Sequence, residues 1–110
     1  MIVFQAEHVE PILKGEKTET FRLWGKPRVK VGSIHKAKTF MFSPEFFAEL
    51  EITKIVKMKA SKLTKAAAKR RGYPSVKAYK EAFTRINRLK KWDGKLEGYA
   101  VTFKVVKYES

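Results

Sequence analysis

Apolar and polar positions along the chain follow two periods, and the change between them divides it. Ile2-Val3-Phe4 is a short apolar run that predicts a first strand. Val9, Ile12 and Leu13 sit at helical spacing, and Gly15 follows as a C-terminal stop, so a short helix comes next. Thr18 to Leu23 is rich in β-formers and predicts an extended segment, ended by the turn residues Gly25-Lys26-Pro27. Gly32 turns the chain into a strand-like stretch from Ser33 to Phe42, and Ser43-Pro44-Glu45 predicts another turn. From Phe46 to Met58, Leu50 and Ile52 share one parity while Ile55 and Met58 fall out of phase, which predicts a strand with a bulge near Lys54.

The period then lengthens. Leu63, Ala66, Ala67 and Arg70 predict a short helix, with Gly72 and Pro74 ending it. Ser75 can cap a second helix, whose Val76, Tyr79, Phe83 and Ile86 form an amphipathic stripe expected in the core. Trp92-Asp93-Gly94 predicts a turn. Tyr99, Val101, Phe103 and Val105 alternate with Ala100, Thr102 and Lys104, the pattern of a half-buried final strand. The expected architecture is α+β: a small curved sheet or β-barrel, with a short helix after the first strand and a two-helix insertion at about 61–91. At 110 residues one domain, 1–110, is expected.

Charge changes this picture. The chain has 25 Lys and Arg against 11 Asp and Glu, a net charge of +14. Residues 54–95 hold 15 basic and 2 acidic side chains, so one segment carries +13 of it. A solvated helical face usually interleaves acids; this one does not, and a polyanion, most often nucleic acid, is the expected partner. With no cysteine, disulfides, Cys-bound zinc and thiol nucleophiles are excluded. His8 and His35 lack metal-ligand spacing and are expected to be structural or surface residues. We expect no metal and no cofactor. No apolar run approaches the roughly 18 residues of a membrane span, and no signal peptide opens the chain, which predicts a cytoplasmic protein without membrane contact. A single Gln (Gln5) and a single Asn (Asn87) among many Lys and Glu resemble hyperthermophile usage.

The densest local chemistry lies at Lys17-Thr18-Glu19-Thr20-Phe21-Arg22. In an extended segment Thr18, Thr20 and Arg22 share one face, and Lys17 can converge on the same space. An ammonium, hydroxyls and a guanidinium there suit a phosphate or a base edge. Trp24 beside them is either packed or a stacking surface for a base; Trp92 is expected to be packed.

Ile12-Leu13-Lys14-Gly15-Glu16-Lys17-Thr18-Glu19-Thr20-Phe21-Arg22 resembles the opening motif of the ASCH domain, a branch of the PUA-like superfamily: a helix ending in Gly, then Lys-Thr-x-Thr-x-Arg. Val31-Gly32 before a strand is similar to the family's second strand. Leu63-Thr64, Ala67 and Arg71-Gly72-Tyr73 followed by Ser75 and a helix resemble its helical insertion, and Trp92 before Tyr99–Val106 its ending. The resemblance implies a small β-barrel with a cleft lined by the Lys-Thr-x-Thr-x-Arg segment, and an association with RNA. It also implies an alternative, since some bacterial members are amidohydrolases that deacetylate acetylcytidine with a Lys, a Thr and a Glu. Lys17 and Thr20 match the first two. The Glu position, just before the Gly closing the first inserted helix, is Arg71.

A carboxylate can carry a proton in amide hydrolysis, whereas a guanidinium cannot accept one near neutral pH. It can hold a phosphate. Glu19 is expected on the strand face opposite Thr20, and Glu45, Glu49 and Glu51 remain open as substitutes. The preferred reading is an RNA-binding module. Its candidate contacts are Lys17, Thr18, Thr20, Arg22, Trp24, Lys69, Arg70 and Arg71, and its cleft could also take a small nucleoside. The alternatives are the amidohydrolase, with Lys17 and Thr20 as catalytic residues, and a protein-interaction domain for an acidic partner.

Overall fold

The computed structural model describes residues 1–108. Five strands form one mixed sheet: β1 (Ile2–Val3), β2 (Glu19–Arg22), β3 (Ile34–Lys38), β4 (Ala48–Lys59) and β5 (Glu97–Tyr108). Their spatial order is β1-β3-β4-β5-β2. β1 runs parallel to β3, and every other pairing is antiparallel. The sheet curls into a half-barrel whose two edges are β1 and β2. A side-chain bond crosses between those edges, from Arg22 Nη2 to the Val3 carbonyl oxygen at 2.8 Å. A 3-10 turn at Ala6–His8 leads into α1 (Val9–Leu13); α2 (Lys65–Arg70) and α3 (Val76–Ile86) form the helical insertion.

The alternation of β5 distributes the core over both sheet faces. Tyr99, Val101 and Phe103 meet Ile2, Phe4, Ile12, Leu50 and Ile52 inside the curl. Ala100, on the other parity, joins Phe21 beneath Ala68, Tyr79 and Phe83 of the helices. The helix starts follow their caps: Thr64 Oγ1 accepts from Ala67 N, and Ser75 Oγ accepts from Ala78 N. The β4 register shifts between Ile52 and Lys54, where the change of hydrophobic phase places a bulge, and again between Glu49 and Leu50.

Two expectations need correction. The strand expected from Ser33 to Phe42 is only Ile34–Lys38. Its pairing with β4 ends at Ala37 opposite Ala48, so the apolar residues beyond Lys38 have no partner strand in reach. Phe40, Met41 and Phe42 are left 74%, 55% and 95% exposed in a loop. Ile86, expected in the core stripe, is exposed, because it is the last residue of α3, beyond the buried Tyr79, Ala82 and Phe83.

Candidate functional site

The gap between the sheet edges is a cleft of about 370 Å³. Val3 and Phe4 line it from the first edge; Thr20, Phe21, Arg22 and Leu23 line it from the second. His8, Lys17, Arg71 and Tyr73 form its inner end, α3 contributes Tyr79, Phe83, Ile86 and Asn87, and Thr39 and Phe40 stand on its border.

Lys17, Thr20 and Arg22 therefore converge. Lys17 is buried, and its Nζ donates to the Arg71 carbonyl oxygen. The bond is possible because Gly72 takes a left-handed turn (φ +94°) directly after Arg71, and a Cβ there would lie 3.4 Å from both Lys17 Cδ and His8 Nδ1. Burial, helped by the nearby Arg22 and Arg71 guanidinium groups, pushes the Lys17 ammonium down to about 7. Arg22 Nε donates to Thr20 Oγ1 at 3.2 Å, and its guanidinium lies 5.1 Å from the Phe4 ring centre. Burial lowers its pKa to about 10, so it stays cationic at neutral pH.

His8 is buried, with Nε2 3.0 Å from the Tyr73 hydroxyl. Burial, then Lys17 and Arg22, hold its imidazole down to about 4, so it is neutral near pH 7. Burial, with Glu7 second, pushes the Tyr73 phenol up to about 12. The cleft thus brings the cation Arg22 and the titrating Lys17 together among neutral hydroxyl and imidazole groups.

Arg71 differs from a free anion ligand. It is 2% exposed, and its Nε donates to Glu19 Oε2 at 2.6 Å. Its guanidinium is flanked by the Phe21 and Tyr79 rings at 5.0 and 5.2 Å. Glu19 lies, as its parity predicts, on the β2 face away from Thr20. There it also accepts from Arg70 Nε at 3.1 Å. The charge of Arg71, which its place beside the cleft motif predicts for a bound anion, is met inside the protein by Glu19. Among the described residues, no Asp or Glu lines the cleft. Glu49 and Glu51 pair in register with Lys36 and Ile34 on the β3 side, and Glu45 is exposed in the loop before β4.

The other expected contacts lie outside the cleft. Thr18 lies just before β2, its backbone bonded to Arg70 O and Phe103 N. Trp24 packs partly buried against the barrel core and is not a cleft wall. Lys69 and Arg70 are exposed on α2. Trp92 packs edge-on against Phe83 with Lys80 over its ring. It borders an open groove with Lys59, Lys90, Lys91 and Lys95. His35 Nε2 lies 2.8 Å from Ser33 Oγ, away from the cleft. Tyr73, Tyr79, Phe83 and Phe40 line the cleft without having been expected there. Tyr79 and Phe83 belong to the helical core pattern, and Tyr73 lies in the turn between the two inserted helices. Phe40 carried a usable signal, three consecutive apolar residues just before Ser43-Pro44.

No family model and no curated protein matches the sequence. Solved structures do match the fold. The ASCH domain from Lactobacillus crispatus aligns with a TM-score of 0.70 at 21% identity, over 91% of this chain and 70% of that one. A variant of ZmASCH from Zymomonas mobilis aligns at 0.64 and 17%, over 94% and 66%. The hypothetical protein PH0355 aligns at 0.66 and 19%, over 96% of each chain. The fold is that of the ASCH-domain proteins: a curled five-strand half-barrel with a few helices. No helix among the described residues is long and apolar enough to cross a membrane.

Proposed function

We propose that this protein binds RNA, seating one unpaired nucleotide in the edge-strand cleft while the basic 54–95 segment follows the phosphates. The convergence of Lys17, Thr20 and Arg22 on a cavity of about 370 Å³ carries this reading. That volume lies at the small end of ligand pockets and suits one nucleoside. Among the described residues, the charged groups at the cleft are cationic, and no carboxylate opposes an anion there. The likeness of the fold to ASCH-domain proteins is consistent with it.

The test is a titration with single-stranded RNA across a salt series. Affinity is expected to fall steeply with salt, because each neutralised phosphate releases counterions. Lys17→Ala is expected to weaken binding more than Lys107→Ala, at an exposed position near the end of β5. No binding at low salt, or a flat salt response, would overturn the reading; equal losses would leave only a diffuse basic patch.

The lowered Lys17 pKa favours a second reading, since an amine near pH 7 can carry a proton in amide hydrolysis. Incubation with acetylcytidine and chromatography for released cytidine tests it. Turnover lost in Lys17→Ala would establish the hydrolase in place of the binding module.

A further inference from the structure

Phe40, Met41 and Phe42 stand in solvent, yet their loop is built rather than loose. Ser43 N donates to Phe40 O at 3.3 Å, Lys38 Nζ to Ser43 O at 2.7 Å, and Glu45 N to Ser43 Oγ at 3.1 Å. Phe40 also lines the cleft. A cavity holding one nucleoside sends the rest of a bound strand past its border, where Phe40 stands. Between Lys36 and Ser43 the chain carries two lysines and no acid, which matches a polyanion. A hydrocarbon surface would have no use for the Lys17, Thr20 and Arg22 groups that line the same cleft as Phe40.

We propose that Phe40 and Phe42 form a stacking platform for the base adjacent to the one seated in the cleft, in single-stranded RNA. This rests on the RNA-binding reading and adds a second base site outside the cavity. Aromatic side chains accept any base by stacking, so the platform adds affinity without choosing a sequence. Having no charge, it does so without changing the number of phosphates neutralised.

The experiment compares the full chain with Phe40→Ala, Phe42→Ala and Phe42→Trp. The probes are a short unstructured RNA and an abasic ribose-phosphate strand of the same length. Each Ala variant is expected to lose roughly 5- to 150-fold in RNA affinity, the fold-change of one lost base–aromatic stack. Phe42→Trp is expected to restore it. The salt slope is expected to stay as in the parent, and binding to the abasic strand is expected to be unchanged. Both side chains are exposed, so the melting temperature reports that the variants fold. Parent-like RNA affinity in both Ala variants overturns the platform, as does an equal loss on the abasic strand. So does a loss confined to anionic phospholipid vesicles or to self-association in sedimentation, which would assign the loop to a membrane or a second copy. Binding that depends on Lys17 but on neither Phe would remove the platform alone. A parent that binds no RNA at low salt would remove the RNA reading with it.

Discussion

Lys17 is charged in an unfolded chain up to about pH 10, but burial beside Arg22 and Arg71 lowers its pKa to about 7 in the folded protein. Between those values the unfolded state binds a proton that the folded state has released. Stability therefore rises with pH across that window. Below about pH 7 the folded protein bears the full cost of a buried ammonium. His8 acts in the same direction at lower pH: its folded pKa of about 4 makes stability fall as pH drops below its usual value of 6.5. Denaturant unfolding at a series of pH values is expected to show both rises, and Lys17→Met to abolish the upper one. A rise between about pH 7 and 10 that persists in Lys17→Met would show that loss of overall positive charge causes it. Arg71 solves the same burial problem differently. It acquires Glu19 as a partner inside the protein; removing Glu19 would strand the buried guanidinium, whereas Glu19 without Arg71 would still meet Arg70.

At the scale of elements, the cleft depends on where β2 lies against β5. Gly98 begins that contact. A Cβ at Gly98 would collide with the Arg22 backbone carbonyl oxygen and come within 2.9 Å of Phe21 Cζ. Glycine is needed here for close approach of two backbones, and its φ is not left-handed. Gly98→Ala is expected to cost about 1–3 kcal/mol by overpacking. It should lower the melting temperature by at least about 5 °C and displace Arg22 from the Thr20 hydroxyl. RNA affinity should fall with it, more than in a surface variant of equal stability. Calorimetry together with the binding titration checks this. Unchanged affinity at lowered stability would separate the β2 position from the cleft's function.

Over the whole molecule, the +13 segment divides among β4, the two helices and the loop before β5 rather than staying on one helix face. Lys59, Lys90, Lys91 and Lys95 share the groove around Trp92, separate from the residues that line the cleft. If this groove follows phosphates, replacing Lys90, Lys91 and Lys95 by Gln is expected to reduce the salt slope of RNA binding by about 2, at about 0.7 per phosphate on a single strand. The additional loss caused by Lys17→Ala should remain in that background, because the two sites share no residue. A parent-like salt slope would exclude the groove as a phosphate path.

Much of this was legible in the chain itself. Period and punctuation marked the strands (except the far end of β3), both inserted helices with their Thr64 and Ser75 starts, and the bulge before Lys54, because these depend on neighbours within a few residues. The Lys17–Arg22 motif marked one wall of the cleft, since alternation along β2 places Thr20 and Arg22 on one face. Parity also put Glu19 on the other. What lay opposite each face was beyond the sequence. That Arg71 would meet Glu19, 52 residues away, depends on how α2 docks on β2. That Phe40 would stand at the cleft depends on where the β3–β4 pairing ends, and that Trp24 would pack against the core depends on how the sheet curls around it. Local pattern determines which way a side chain leaves the backbone. Only the tertiary structure decides whether a partner, a cavity or water waits there.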